Sequence, residues 1–381
     1  IFIDKEYLEN RSNEIGKKIE SLESEIINLA GEEFNLNSSQ QLAVILFDKL
    51  KLPMIKKRST AEAVLSELKD KHPLPELILS YRKLYKLKNT YLDPLPSYII
   101  SDTQRVHSSF NQTMTATGRL STSSPNFQNI PIRTEDGKEI RKAIKAQSNE
   151  YQIFSADYSQ VELRVMAHLS GDESLISALN NGEDIHTFTA KNIFNVDNDD
   201  MVLPEMRRIA KIVNFGIMYG AGPFRLSQEL DIPFGEAKQI KDAYFQKYQG
   251  IEQYIENSKL QIKETKSVET LLGRKRAVWD SDSQNKIRRD AAERMAINMP
   301  IQGTAAEMIK LAMIKIHRQM NKENLKSKLI MQIHDELLLE VHQDEIDYIS
   351  KMVIEHMRNA MKLDVPIEID FGIGPSWYEA H

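Results

Sequence analysis

The sequence predicts an α+β protein in which helical stretches surround a few short apolar strands. Residues 1–100 are mainly helical by their pattern of apolar residues, and so are residues 172–265. Short apolar strands are predicted at residues 151–156, 329–333 and 337–341. Helices and strands that occupy separate stretches of a chain are typical of the α+β class.

The composition excludes several classes of protein. Apolar residues make up 41% and charged residues 28% of the 381 residues, as in an ordinary globular protein with two or three domains or subdomains. No window approaches ~18 apolar residues, so we expect no membrane span. The absence of Cys excludes disulfides, thiolate nucleophiles and Cys-based zinc sites. The chain starts at Ile1 without a signal peptide or an initiator Met, and we expect a fragment of a longer chain.

The formal net charge of −5 is unusual for a protein that binds nucleic acid. Net charge governs long-range steering, however, whereas local basic surface decides phosphate contact. Each basic cluster taken alone is more often a solvated face than a binding site, and only proximity to a motif favours binding. The clusters are Lys56-Lys57-Arg58, Arg82 to Lys88, Arg207-Arg208-Lys211, Gly273-Arg274-Lys275-Arg276 and Arg288-Arg289.

The first hundred residues predict a long helical hairpin with a small cap of helices. A seam of apolar residues with steps of four and three predicts the first helix, and Gly31 ends it. Capping boxes that start at Ser38 and Ser59 open two further helices, and a fourth runs from Pro75 towards Tyr91. The seam consists of Ile15, Ile19, Leu22, Ile26 and Leu29.

The remaining elements follow at breaks in the pattern. A polar segment from Thr113 to Thr134, punctuated by Gly and Pro, is either an ordinary loop or one that faces a ligand. A helix is predicted over 161–169, and later helices break at Gly182, Gly222-Pro223 and Gly250. Asp199 or Asp200 is expected to cap one of these helices, with Pro204 in its first turn. After a turn at Leu271–Arg274, the sequence predicts a long helix from about Lys286 that Pro300 and Gly303 distort, a helix over 344–361 and a last strand over 366–371.

Two carboxylates lie at the ends of predicted strands. Asp157 follows the strand over 151–156, and Asp335 lies in a tight hairpin turn between His334 and Glu336. An Asp at such a place is commonly only a turn residue. Two carboxylates from different strands also suit two Mg²⁺ ions about 4 Å apart, because Mg²⁺ takes hard oxygen ligands and shares them with substrate phosphates. The pair therefore predicts a metal site.

A helix between the two carboxylates carries two cations and then two aromatic rings. Arg207, Lys211, Phe215 and Tyr219 follow at intervals of four, and each interval turns about 400° around a helix. They form one slowly winding stripe, in which the cations suit a triphosphate and the rings suit a sugar and a base. The alternative is a surface helix whose aromatic residues simply enter the core. Together with the carboxylates, the stripe favours nucleotidyl transfer.

The motifs resemble those of family A DNA polymerases, which are similar to bacterial DNA polymerase I. The resemblance covers essentially the whole chain, including the closing Gly374-Pro375-Ser376-Trp377-Tyr378. The matching segments are Thr115 to Ser121 with Asn129-Ile130-Pro131 (primer and template), Asp157 to Arg164 (first catalytic motif), Arg207 to Tyr219 (fingers helix), Gln302 to Ala306 (DNA contact) and His334-Asp335-Glu336 (third catalytic motif).

The resemblance implies a right-hand polymerase with an antiparallel palm sheet and mainly helical thumb and fingers. The expected domains are a thumb over 1–100, a palm over 101–165 and 291–381, and fingers over 166–290. It implies DNA-directed DNA synthesis in replication or repair, on primer-template DNA and with deoxynucleoside triphosphates, by a monomer with two Mg²⁺ ions that Mn²⁺ can replace. It implies a cytoplasmic, nucleoid-associated location, although the residues leave a viral or organellar source open.

The resemblance also assigns roles to single residues. The metal ligands are Asp157, Asp335 and the backbone carbonyl of Tyr158. The catalytic residues are Asp157, Asp335, Lys211 and Glu336, with Lys211 as the proton donor to pyrophosphate. The nucleotide-binding residues are Arg207, Lys211, Phe215, Tyr219, His186, Gln160 and Glu162, the last of which obstructs a ribose 2′-hydroxyl. The DNA-binding residues are Arg119, Asn126, Asn129, Arg294, Asn298, Gln302 and His334.

Two rival interpretations are weighed against this assignment, and the sequence departs from the family pattern in two respects. A single-subunit RNA polymerase of the phage type shares the palm chemistry, but Glu162 should clash with a ribonucleotide. A catalytically silent DNA-binding relative should not retain Asp157, Asp335 and Lys211. The predicted thumb is short between Lys57 and Ala61, and no separate carboxylate cluster predicts proofreading.

Overall fold

The computed structural model describes residues 1–130 and 134–381. Pro131 and Arg133, which belong to the predicted polar segment, lie outside the described residues. The helices are α1 (Lys5–Ala30), α2 (Ser39–Ala43), α3 (Glu62–Leu68), α4 (Pro73–Leu87), α5 (Glu135–Lys142), α6 (Val161–Ser170), α7 (Glu173–Asn180), α8 (Ile185–Phe194), α9 (Pro204–Met218), α10 (Pro223–Leu230), α11 (Phe234–Lys247), α12 (Gln249–Thr265), α13 (Lys286–Lys322), α14 (Ile346–Arg358) and α15 (Trp377–Ala380).

The strands are short, and most of them pair in two-stranded ribbons. They are β1 (Phe2–Ile3), β2 (Ile99–Ile100), β3 (Arg105–Val106), β4 (Ser109–Asn111), β5 (Ser121–Ser123), β6 (Ile144–Lys145), β7 (Tyr151–Tyr158), β8 (Ser267–Glu269), β9 (Lys275–Ala277), β10 (Lys328–Ile333), β11 (Glu336–His342) and β12 (Ile369–Gly374). Short π-helical turns lie at Val44–Lys49 and Lys88–Leu92, and 3₁₀ turns at Leu95–Tyr98, Phe127–Asn129, Asp199–Met201, Trp279–Asp282 and Gln343–Glu345. The predicted α+β class is confirmed.

The chain divides into two compact units. The first comprises Ile1–Ser109, Ser123–Ile153 and Gly374–His381, and the second comprises Phe110–Thr122 and Phe154–Ile373. Among the described residues, no helix is both long enough and apolar enough to cross a membrane.

The first unit is built on the packing of α1 against α4. The predicted seam of α1 faces this contact, with Ile15 and Ile26 fully buried. Gly31 ends α1 with φ +73°, a left-handed conformation that favours glycine, so the predicted stop is confirmed. Near the carboxyl end of the chain, the buried Trp377 of α15 packs under the guanidinium of Arg141, 4.1 Å from its ring.

The second unit holds a four-stranded sheet in the order β10-β11-β7-β12. One core lies between this sheet and the helices α6, α13 and α14. Apolar residues of β11 and α14 in this core, such as Leu337, Leu339 and Val353, are buried completely. The long α13 is one helix that includes Pro300 and Gly303, and the distortion predicted there stays a prediction.

Several predicted boundaries are wrong by a few residues. Ser38 caps α2 as expected, but α3 begins at Glu62 without a side-chain cap, and Ser59 instead accepts a hydrogen bond from the amide of Ala61 at 3.3 Å. The predicted start of the fourth helix at Pro75 lies two residues inside α4.

Two further boundaries move because side chains find other partners. Neither Asp199 nor Asp200 caps α9, which starts after Leu203, since Asp199 forms an ion pair with Lys191 at 2.6 Å. The last strand was predicted over 366–371 but spans Ile369–Gly374. The carbonyl of Pro366 accepts a hydrogen bond from Arg164 at 2.5 Å, so this part of the chain bonds to a side chain.

Candidate active site

The two predicted metal-binding carboxylates lie on neighbouring strands. Asp157 is the penultimate residue of β7, and Asp335 lies in the two-residue turn between β10 and β11, the strand next to β7. The amide of Tyr158 donates to the carbonyl of Asp335 at 3.2 Å, which brings the two carboxylate-bearing segments together. Burial raises the pKa of Asp335 above its usual range, and the charges of Arg119 and His334 offset this only in part.

The turn that carries Asp335 is fixed by its own backbone. His334 has φ +50°, and Ile333 pairs with Glu336 directly across the turn. The side-chain amide of Gln332 donates to the carbonyl of His334. The carboxylate of Asp335 is therefore held at the edge of the sheet while its side chain stays 24% exposed.

Glu162 lies in the first turn of α6, and its carboxylate has two partners. One guanidinium nitrogen of Arg119 lies 2.6 Å from Oε1, and the hydroxyl of Tyr219 donates to Oε2. The same nitrogen of Arg119 lies 3.8 Å from Asp335, so one cation faces both acids. Burial raises the pKa of Glu162, although both hydrogen-bond partners favour its ionised form.

The loop that carries Arg119 is clamped from two sides. Lys310 of α13 donates to the carbonyl of Gly118 at 2.8 Å, and Arg274 lies so close that a Cβ at Gly118 would meet its Nε at 2.8 Å. Glu307 holds Arg274 through a contact of 3.2 Å. Gly118 also has φ +80°, a conformation that glycine adopts without strain. The clamp therefore sets where the Arg119 guanidinium lies.

The four residues of the predicted stripe lie along α9, with Tyr219 at the carboxyl-terminal cap of the helix. The rings of Phe215 and Tyr219 are stacked with centroids 6.5 Å apart. Arg207 donates two hydrogen bonds to Asp184, at 3.0 and 2.8 Å. Lys211 is exposed and makes no ion pair or hydrogen bond with any residue in the described ranges. The stripe thus offers one paired cation, one unpaired cation and two rings.

His186 lies beside this stripe in a buried hydrogen-bonded chain. Its ring centroid is 5.8 Å from that of Phe215, and its Nδ1 lies 3.1 Å from the Nδ2 of Asn214. The hydroxyl of Thr189 donates to the Oδ1 of Asn214 at 3.2 Å, and in this orientation of the amide its nitrogen faces the histidine. Burial, assisted by the charges of Arg207 and Lys211, lowers the pKa of His186 to about 4. The neutral ring therefore accepts at Nδ1 and carries its proton on Nε2.

Asp184 caps α8 two residues before His186, which explains why this acid is available to Arg207. It accepts from the amide of Thr187 at 2.7 Å. Burial would raise the pKa of Asp184, but the hydrogen bonds from Arg207 and Thr187 lower it to about 2. Asp184 is consequently ionised at neutral pH and pairs with Arg207.

The predicted DNA contacts fall into two groups. Arg294, Asn298 and Gln302 lie on α13 in the same unit as Arg119 and His334, and the Oδ1 of Asn298 is buried without a hydrogen-bond partner among the described residues. Asn126 and Asn129 belong to the other unit. Asn126 caps the 3₁₀ turn Phe127–Asn129, and the carbonyl of Asn129 accepts from Tyr91.

Glu336 and Gln160 lie on the elements next to the two carboxylates. Glu336 is buried on β11 and accepts from the hydroxyl of Ser155 at 2.6 Å. Gln160 has φ +51° and forms the first cap position of α6. Their roles in catalysis and nucleotide binding stay predictions.

The donor set of the carboxylate edge fits a divalent cation. It consists of hard carboxylate oxygens, as Mg²⁺ prefers, and a nearby cation would favour the ionised form of the buried Asp335. Within residues 1–130 and 134–381, no group of three or more acidic or His side chains could hold a metal ion.

Comparison with known proteins identifies the family. The model of DNA polymerase family A matches residues 5–379. The chain belongs to this family. The predicted right-hand polymerase fold is also confirmed, because the POL domain of Pol1 from M. smegmatis, solved in complex with DNA primer-template and dNTP, matches with a TM-score of 0.94. That match has 41% sequence identity and covers 100% of this chain and 68% of that chain.

The family relatives are longer than this chain. It is 46% identical over 382 residues to DNA polymerase I of Bacillus subtilis (strain 168), covering 99% of this chain and 43% of that protein. It is 47% identical over 384 residues to the thermostable DNA polymerase I of Thermus aquaticus, covering 99% of this chain and 46% of that protein. The chain therefore spans about half the length of the curated relatives that it matches.

Some residues of this family A site were not found from the sequence. Asp184 could have been found from the sequence, since an Asp directly before a helical stretch is a capping signal. Asn214, Thr189 and Lys310 carry no local signal, because their partners are distant in the sequence.

The lowered pKa of His186 predicts how protein stability and the charge of this ring depend on pH. The unfolded state should bind this proton near pH 6.5 and the folded state only near pH 4, so the free energy of unfolding should fall as the pH drops through this window. An NMR titration of His186 should show a midpoint near pH 4, with the exposed His317 as a reference in the same spectra. A midpoint near 6.5 would contradict the effect of burial on the pKa of His186.

Proposed function

We propose that the chain catalyses template-directed DNA synthesis by adding deoxynucleotides to the 3′-hydroxyl of a primer. The observation that carries this proposal is the meeting of Asp157 and Asp335 on neighbouring strands, in the same unit as the α9 stripe. Membership of DNA polymerase family A and the likeness to a domain solved with primer-template and dNTP support it. We place the thumb at 1–100, the palm at 101–165 and 291–381, and the fingers at 166–290.

Asp157, Asp335 and the backbone carbonyl of Tyr158 would hold the metal ions. Family A polymerases are metal-dependent in general, and Mg²⁺ is the proposed ion here. Bound Mg²⁺ would lower the pKa of the primer hydroxyl and stabilise charge on the leaving pyrophosphate. The partly buried Asp335 suits this task, because a carboxylate that has few water contacts binds a cation more strongly.

The α9 stripe and His186 would bind the triphosphate. Lys211, whose side chain has no protein partner among the described residues, would donate a proton to pyrophosphate. Arg207 would either leave Asp184 for a phosphate oxygen or contact both. Leaving Asp184 would cost little, because a half-exposed ion pair of this kind contributes only about 0–1 kcal/mol. The neutral His186 would donate its Nε2–H to a phosphate oxygen without an additional charge.

Glu162 would exclude ribonucleotides by its bulk. Its carboxylate is held by both Arg119 and Tyr219, so it cannot easily rotate away from an additional hydroxyl. This contact also favours a DNA polymerase over an RNA polymerase, the rival function. The intact carboxylates and Lys211 favour an active enzyme over a silent DNA-binding relative. A cytoplasmic location and a monomeric state stay predictions.

Removal of either metal-binding charge should abolish primer extension. Asp157→Asn or Asp335→Asn should reduce the rate at least ~100-fold, because the lost charge acts mainly in the transition state, while primer-template affinity changes little. Single-turnover extension and fluorescence anisotropy would measure the two quantities. Asp370→Asn, an exposed Asp of β12 in the same sheet, is the matched control and should extend at the parental rate. Near-parental extension by either active-site variant would refute the metal assignment.

The exclusion of ribonucleotides and the exclusion of dideoxynucleotides should depend on different residues. Glu162→Ala should admit ribonucleotides, because the obstruction at the 2′ carbon is gone. Phe215→Tyr should admit dideoxynucleotides, because a new hydroxyl lies where the 3′-hydroxyl is missing, and ribose exclusion should persist. Competition assays that pair each analogue with its deoxynucleotide give both ratios, and each variant is the control for the other. An unchanged dideoxy ratio in Phe215→Tyr would show that the α9 stripe does not face the sugar.

A further inference from the structure

Two large apolar side chains project into solvent at the start of α13. Trp279 is 78% exposed and Ile287 is 77% exposed, the highest values for large apolar residues in the described part of the chain. Single exposed apolar residues are ordinary. Here, however, an exposed indole ring and an exposed aliphatic side chain lie at the two ends of one short connection, the 3₁₀ turn and the first turn of α13.

This connection is rigidly attached to α13. Val278, next to Trp279, is buried in a small core with Ala292 of α13. Arg289, in the first turns of α13, donates to the carbonyl of Ser283 at 2.9 Å, just after the 3₁₀ turn. The backbone of Trp279 is thus anchored while its side chain is not covered.

The local charge around these residues is positive. Lys286 and Arg288 flank Ile287 and are exposed, and neither makes an ion pair or hydrogen bond with another described residue. Of the two acids in the 3₁₀ turn, Asp282 is already paired with Lys266, which leaves Asp280. The surface therefore combines an unpaired ring with cations that have no protein partner, and this is the composition of sites that bind single-stranded nucleic acid.

The same face of α13 leads from Ile287 to residues that we assign to DNA. Arg294 and Asn298 follow Ile287 by seven and eleven residues, and at 3.6 residues per turn both point within about 20° of its direction. The rise of about 1.5 Å per residue places them roughly 10 and 17 Å further along the helix. A DNA strand that contacts Arg294 would therefore meet the start of α13 within a few nucleotides.

We propose that Trp279, Ile287, Lys286 and Arg288, here called the Trp279 patch, bind unpaired DNA next to the primer-template duplex. The indole ring would stack on a base, and the two cations would contact phosphates. This inference rests on the proposed function. The unpaired strand is either the template ahead of the primer or a strand displaced by synthesis, and both present the same bases and phosphates.

Tryptophan fluorescence gives a direct readout of the stacking. The chain has 2 Trp residues, and Trp377 is fully buried beneath Arg141, so only Trp279 is open to a base. Titration with an oligothymidylate should quench the emission of the parent protein, and Trp279→Phe should abolish the quenching. Emission that does not respond to saturating oligonucleotide would refute the stacking.

Affinity measurements test the same patch on the proposed substrate. Trp279→Ala should weaken binding of a primer-template with a long 5′ overhang by about 5- to 150-fold, the usual range for one lost stacked base, while Trp279→Phe keeps most of the affinity. Lys286→Ala combined with Arg288→Ala should reduce the slope of log affinity against log salt by about 1.4. Phe234→Ala, which truncates another exposed aromatic residue (55% exposed), is the matched control and should bind as the parent does.

Affinity for three substrates shows which strand the Trp279 patch binds and whether the proposal fails: a primer-template with a 5′ overhang, one with a downstream flap, and a duplex with neither. A loss confined to overhang substrates assigns the template, whereas a loss confined to substrates with a downstream flap assigns the displaced strand. An equal loss on a duplex with neither feature, or no loss at all, would overturn the proposal. A parent protein that binds no primer-template and extends none would instead overturn the proposed function. Thermal unfolding of each variant verifies that the exposed substitutions leave the fold intact.

Discussion

The contact on which the site depends is the one between the Arg119 guanidinium and the buried carboxylate of Glu162. A buried carboxylate without a partner would be strongly destabilising, so the position of Glu162 in α6 requires a cation at this place. Arg119 meets this requirement only because Lys310 and Arg274 clamp the loop before it. Three distant parts of the second unit are thus fixed relative to one another by a single charge.

The contact between Arg119 and Glu162 also affects the neighbouring Tyr219 and Asp335 of the proposed reaction centre. The second oxygen of Glu162 accepts from Tyr219 at the end of α9, so the same acid fixes the position of the Tyr219 ring. The guanidinium also lies 3.8 Å from Asp335, where it offsets part of the burial effect on that carboxylate. The carboxylates of Glu162 and Asp335 and the ring of Tyr219 are therefore coupled through one cation.

Local features of the fold were predictable from the sequence, and long-range contacts were not. The seam of α1, the stop at Gly31 and the turn at Asp335 depend on neighbouring residues, and the structure confirms them. Ser59 and Asp199 failed as caps because a capping signal does not show competing partners such as Lys191. Asp157 and Asp335 were found as strand-end acids, but their adjacency depends on the order of strands in the sheet. Lys310 and Asn214 act through groups far away in sequence, which a single sequence does not reveal.

A double-mutant cycle between Arg119 and Glu162 tests the central contact most directly. Urea unfolding of Arg119→Met, Glu162→Gln and the double variant would give the coupling free energy, and the Arg58–Asp48 pair, bidentate but on the surface, is the matched control. We predict a coupling of about 1–3 kcal/mol for the buried pair, with additive effects in the control. Additivity within about 0.5 kcal/mol at Arg119 and Glu162 would show that this contact does not hold the site together.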